Sequence, residues 1–134
     1  PDEWMRGHLD GHLEGTLADG EQTPVQIART VLSGPGLLRL GEPTASLDLG
    51  AREQLLTLLG GYAQAPTTPA MVMVTHHVEE IPVGFTHVLL MRDGAAVASG
   101  PIEEALTAES LTETFGLPIT LRVDDGRYTA RAAS

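Results

Sequence analysis

The alternation of apolar and polar positions changes period several times along this chain. Over 25–33, Val25, Ile27, Ala28, Val31 and Leu32 recur at helical spacing, and Gly34-Pro35-Gly36 ends the pattern. A short apolar run over 37–40 then reads as a strand. Asp48 is placed to cap a helix over 49–62, with Leu55, Leu56, Leu58 and Leu59 on its inner face and Gly60-Gly61 ending or fraying it. The run 70–75 (AMVMVT) is apolar at nearly every position. Such a run suits a parallel strand covered on both faces. A short helix is expected over 77–81, stopped by Pro82, and a strand over 86–91. Asp93-Gly94 signals a hairpin returning over 95–98. Pro101 opens a helix, and Thr107 caps another that ends at Phe115. Asp125-Gly126 joins a second hairpin, 119–123 with 127–130. This order of elements predicts an α/β fold with a largely parallel sheet.

The first residues behave differently. Gly7, Gly11 and Gly15 interrupt any helix over the lead-in. His8 and His12 are spaced as a helical metal pair would be, but without a stable helix the stretch reads as a solvated polar segment. No metal-ligating residue is assigned.

Composition removes several classes of function. The chain has 134 residues, 42% of them hydrophobic, a length and content that suit one folded domain. The absence of cysteine excludes thiol catalysis and Cys-ligated zinc. A net charge of -10 argues against a nucleic-acid groove. No apolar run approaches the roughly 20 residues of a membrane span. Every basic residue is Arg, so Lys-dependent phosphate binding cannot come from these residues. The chain opens on Pro1 rather than Met and is read as part of something longer, or as a trimmed product.

In open α/β sheets, ligands bind outside the carboxyl ends of the strands. Glu42 follows the first predicted strand, and Thr75-His76 follows the second. A carboxylate and an imidazole there can act on one ligand: Glu42 by orienting or deprotonating a water, His76 by donating to a developing negative charge. The alternatives are a solvated turn for Glu42 and a helix-capping role for His76. An unrelated α/β enzyme built on the same two residues is a further possibility.

The order of the short motifs points to one family. Leu17-Ala18-Asp19-Gly20-Glu21, Gln26-Ile27-Ala28-Arg29, Leu37 through Thr44, Ser46-Leu47-Asp48, Val74-Thr75-His76, and Met91-Arg92-Asp93-Gly94 with Gly100-Pro101 follow one another along 17–117. They resemble, in sequence, the signature motif and its helix, the Walker B strand, the D-loop, the switch-histidine loop and the hairpin of an ABC transporter ATP-binding subunit. The resemblance implies the C-terminal part of a P-loop NTPase fold of the RecA-like ABC ATPase kind, a mostly parallel sheet flanked by helices with terminal hairpins. Its divisions would be 1–16 as lead-in, 17–117 as the signature-to-switch region and 118–134 as a C-terminal hairpin. It also implies ATP and Mg²⁺ as ligands, a second ATP-binding subunit and a transmembrane subunit as partners, and a peripheral place on the cytoplasmic face of the plasma membrane. By the same resemblance, Glu42 would polarise the attacking water and His76 would contact the γ-phosphate. Asp48 would touch the partner subunit, and Ala18, Asp19, Gly20 and Glu21 would present backbone amides to nucleotide held by that partner.

The departures from the family pattern are chemical. These residues contain no G-x-x-x-x-G-K-[ST] loop and no glutamine loop. Gly41 stands where the pattern has the metal-holding aspartate, Ala18 where it has the signature serine, and Pro24 where it has an arginine. Thr23-Pro24-Val25-Gln26 has the form of a capping box, which would start the signature helix about one turn late and turn the amides of Gly20 and Glu21 away. The chain alone is therefore expected to be inactive in ATP hydrolysis. The alternative is a non-catalytic, truncated or decayed interaction module. Without neighbouring strands, the apolar runs 37–40 and 70–75 are also expected to leave a sticky sheet edge.

Overall fold

The computed structural model describes Ile27, Arg29 and residues 36–133. The chain divides after Gly84 into two compact units.

In the first unit, β1 (Leu37–Gly41) pairs in parallel with β2 (Ala70–Val74), in the register Leu37 to Ala70 through Gly41 to Val74. The helix α1 (Leu49–Gln64) forms the crossover between them. Its start is set by Asp48, whose carboxylate accepts from the Ala51 amide at 2.8 Å. Leu38, Leu40, Leu55, Leu56 and Leu59 are buried, as is Ile27, which is helical. Leu58 is only half-buried, so the apolar face of α1 is narrower than the leucine run suggested.

Two expectations are corrected here. The helix does not end at Gly60-Gly61 but runs through both to Gln64. Gly60 is buried, and a Cβ there would collide with the Val83 carbonyl oxygen. The glycine is a close-approach residue rather than a helix stop. The strand β2 is not covered on both faces: Ala70, Val72 and Val74 are exposed, while Met71 and Met73 are half-buried. The all-apolar sequence carries no signal for which side is covered. Beyond β2, the expected helix is a 3₁₀ turn, Val78–Glu80, and Pro82 is buried just past it.

The second unit holds two antiparallel hairpins and two helices. β3 (His87–Arg92) pairs with β4 (Ala95–Pro101), with a register shift between Leu90 and Met91. β5 (Ile119–Asp124) pairs with β6 (Arg127–Ala132). Both turns are Asp-Gly with φ of 52° and 79°, the doubly left-handed geometry that matches strand twist. Between the hairpins lie α2 (Ile102–Ala105) and α3 (Ala108–Phe115). α3 opens on a reciprocal capping box. Thr107 Oγ1 accepts from the Ser110 amide at 3.0 Å, and Ser110 Oγ accepts from the Thr107 amide at 2.9 Å. It closes on Gly116 at φ 79°, where Arg92 Nη1 donates to the Glu113 carbonyl at 2.8 Å. Ile102, Ala105, Leu106 and Leu111 form the buried apolar set of this unit.

Candidate functional site

The parallel register ends with Gly41 beside Val74. One step further, the Glu42 amide donates to the Val74 carbonyl at 2.7 Å. The chain then leaves β1 through two tight turns, with the Ala45 amide on the Glu42 carbonyl at 3.2 Å and the Leu47 amide on the Thr44 carbonyl at 3.1 Å. Glu42 enters these turns at φ 48°, a left-handed backbone that residues other than glycine adopt at a cost of about 1–3 kcal/mol. Strain of this kind is held in place by the surrounding bonds, and here those bonds direct Glu42 beyond the strand end.

From the neighbouring strand, Thr75 and His76 leave at the same end. His76 Nε2 lies 3.7 Å from Glu42 Oε2. The His76 side chain is 70% exposed and that of Glu42 50%, so the pair contributes little to stability even when the imidazole is protonated. What it supplies is placement: an acceptor and a switchable donor, both open to solvent, at the carboxyl ends of parallel strands. His76 does not cap the following turn. The N-cap position belongs to His77, which makes no side-chain capping bond.

Two further residues shape this loop, Thr75 of the motif after β2 and Glu80, neither assigned a role from the sequence alone. Thr75 Oγ1 donates to Glu80 Oε1 at 2.7 Å, and the same hydroxyl accepts from the His77 amide at 3.1 Å. Glu80 is buried, unusual for a carboxylate with no ion pair among the described residues. The only signal available in the sequence was an acidic pair followed by Ile81-Pro82, which reads equally well as a solvated turn.

Of the remaining site residues, the structure describes Asp48. Asp48 is exposed and serves as the α1 cap, with its second oxygen uncommitted to that bond. Ala18, Asp19, Gly20 and Glu21 lie outside the described residues, as do Pro24 and its capping box and the histidines His8 and His12. The signature-helix expectation rests on Ile27 and Arg29, both helical.

Magnesium does not fit the residues present. Gly41 offers no side-chain oxygen to a metal, and a Cβ there would meet nothing within 4 Å beyond its chain neighbours. Among the described residues, no group of three or more His, Asp or Glu comes together as a metal site would require.

The α1 crossover between parallel strands, matched to an ABC transporter structure, is consistent with the C-terminal part of a P-loop NTPase fold. A solved structure of a metal-chelate type ABC transporter in an inward-facing conformation matches with a TM-score of 0.68 and 26% identity, covering 98% of this chain and 53% of that one. An ABC transporter ATP-binding protein of Streptococcus mutans is 38% identical over 122 residues, 90% of this chain and 47% of that protein. The protein YlmA of Bacillus subtilis, also an ABC transporter ATP-binding protein, is 41% identical over 104 residues, 78% of this chain and 39% of its own length. The molybdenum import ATP-binding protein ModC of Bordetella pertussis is 36% identical over 101 residues, 75% of this chain and 27% of its own. No family model matches the chain. The chain belongs to the ABC transporter ATP-binding proteins, and it spans about half the length of the curated relatives it matches. No helix among the described residues is long and apolar enough to cross a membrane.

Proposed function

We propose that this chain is the C-terminal part of an ATP-binding subunit whose ATP hydrolysis drives an ABC-type membrane transporter. The observation that carries the reading is the 3.7 Å approach of His76 to Glu42 at the ends of β1 and β2. In this role Glu42 polarises the attacking water, and His76 donates to the γ-phosphate as charge builds on it. Phosphoryl transfer needs positioned groups and charge stabilisation rather than covalent chemistry from the protein. Asp48 and residues 18–21 would meet a second ATP-binding subunit, and a transmembrane subunit would hold the pair at the cytoplasmic face of the membrane.

The 134 residues alone are proposed not to hydrolyse MgATP. They contain no lysine and no phosphate-binding loop, and Gly41 gives no ligand for the metal. Loss of one preorganised donor typically lowers a rate by about 10²–10³. Several such losses together leave no turnover to measure.

Gly41 also favours a second reading, a decayed relative that keeps the fold as an interaction module. Fusing the front half of the Streptococcus mutans relative to this chain separates the two. The first reading expects phosphate release that Glu42→Gln abolishes. The second expects none until Gly41→Asp is added. Phosphate release by the chain alone that disappears in Glu42→Gln would overturn the expected inactivity.

A further inference from the structure

The His76 ring is mostly exposed, and its approach to Glu42 depends on the course of the loop after β2. That loop is tied across His76 on both sides. On one side, the Thr75 hydroxyl accepts from the His77 amide at 3.1 Å. On the other, it donates to the carboxylate of the buried residue Glu80 at 2.7 Å. The Glu80 amide in turn donates to the His77 carbonyl at 3.0 Å. A hydroxyl used at once as donor and acceptor has its rotor fixed, and with it the start of the loop.

We propose that Glu80 is a positioning residue for the Glu42–His76 pair, acting through the Thr75 hydroxyl. Burial of the Glu80 residue, with the contact itself partly buried, is what gives it this hold. A surface glutamate would exchange Thr75 for water at little cost, whereas a buried one that loses its donor bears a desolvation penalty. Glu80 is anchored in the 3₁₀ turn, and Thr75 leaves a strand whose ladder is fixed to β1. The imidazole therefore hangs between two fixed points and faces Glu42 across the strand ends. The inference rests on reading Glu42 and His76 as one site, but its test needs no nucleotide.

The test uses nuclear magnetic resonance on the 134-residue chain, with the Glu42→Gln substitution as a local probe. In the parent, Glu42→Gln should shift the His76 ring resonances, while those of the exposed His77 and His87 stay in place. In Glu80→Ala and Thr75→Val backgrounds the His76 response should be lost. In Glu80→Gln and Thr75→Ser backgrounds, where the acceptor and the hydroxyl remain, it should return. Unchanged Leu38 and Leu55 methyl resonances establish that the fold is kept.

An undiminished His76 response in Glu80→Ala or Thr75→Val, with the fold kept, overturns the proposal. So does a parent in which Glu42→Gln leaves His76 unmoved. If Glu80→Ala fails to fold, Thr75→Val decides. If both unfold, the contact is a requirement of the fold, and the proposal fails. Failure of the phosphate-release experiment bears on the transporter reading and leaves this result standing.

Discussion

The main-chain amide of Glu42 donates to the carbonyl oxygen of Val74 at 2.7 Å, one step beyond the last residue pair of the β1–β2 ladder. This bond joins the two strands at the point where each gives up its functional side chain. It also accounts for an unusual feature. Gly41 could take a left-handed backbone freely, but it is spent on the strand, and Glu42 carries φ 48° instead.

Replacing Glu42 therefore separates chemistry from stability. Glu42→Gly should fold at least as stably as the parent, because glycine adopts this backbone without strain. Glu42→Val should be less stable by about 1–2 kcal/mol, since a β-branched residue fits this region poorly. Both remove the carboxylate. Urea midpoints measured on the two variants check this, and equal midpoints would mean that the left-handed turn is not kept in solution.

The two consecutive glycines of α1 should behave in opposite ways. At Gly60 a Cβ would collide with the Val83 carbonyl, and a backbone group cannot step aside as a flexible side chain would. Overpacking of this kind costs about 1–3 kcal/mol, which outweighs the roughly 1 kcal/mol that alanine gains in helix propensity. Gly61 is exposed and a Cβ there meets nothing within 4 Å, so Gly61→Ala keeps the propensity gain and should stabilise. Thermal unfolding of the two variants should move the midpoint down for Gly60→Ala and up for Gly61→Ala.

The contrast between these glycines marks what the sequence carried. Its strongest readings were local ones. Asp93-Gly94 and Asp125-Gly126 encode their turns within two residues, and Asp48 and Thr107 encode caps within three or four. The parallel pairing of the two runs was legible in the order of elements, strand, helix and strand, which predicts a largely parallel sheet. What a third element decides was not legible. Gly60 reads as a stop until Val83 is known to lie against it. The run AMVMVT reads as fully covered until the exposure of Val72 and Val74 is seen. At the candidate site, Glu42 and His76 were recognisable by their place after the strands. Thr75 stood at the same place, but its contact with Glu80 was not legible, because it depends on how the chain folds back through the 3₁₀ turn.

Thr44 offers a test of burial at the edge of the site. Its side chain is buried, yet its hydroxyl has no hydrogen-bond partner among the described residues. An unsatisfied buried hydroxyl costs about 1–3 kcal/mol relative to solvent. Thr44→Val keeps the branched shape and removes that cost, so the urea midpoint should hold or rise. A clear fall would show that the hydroxyl finds a partner in solution.

Asp48 combines a structural bond with the family's expected role toward a second subunit, and the two are separable by substitution. Its carboxylate accepts from the Ala51 amide at 2.8 Å, satisfying one of the free donors at the start of α1. Asp48→Ala removes that acceptor and should cost about 0.5–2 kcal/mol. Asp48→Ser keeps a capping oxygen while removing the charge, and should unfold close to the parent. If Asp48 acts only as a cap, Asp48→Ser should also retain any ATPase activity of the fusion carrying a front half. If it also contacts a second subunit through its charge, that variant should lose activity while keeping its unfolding midpoint.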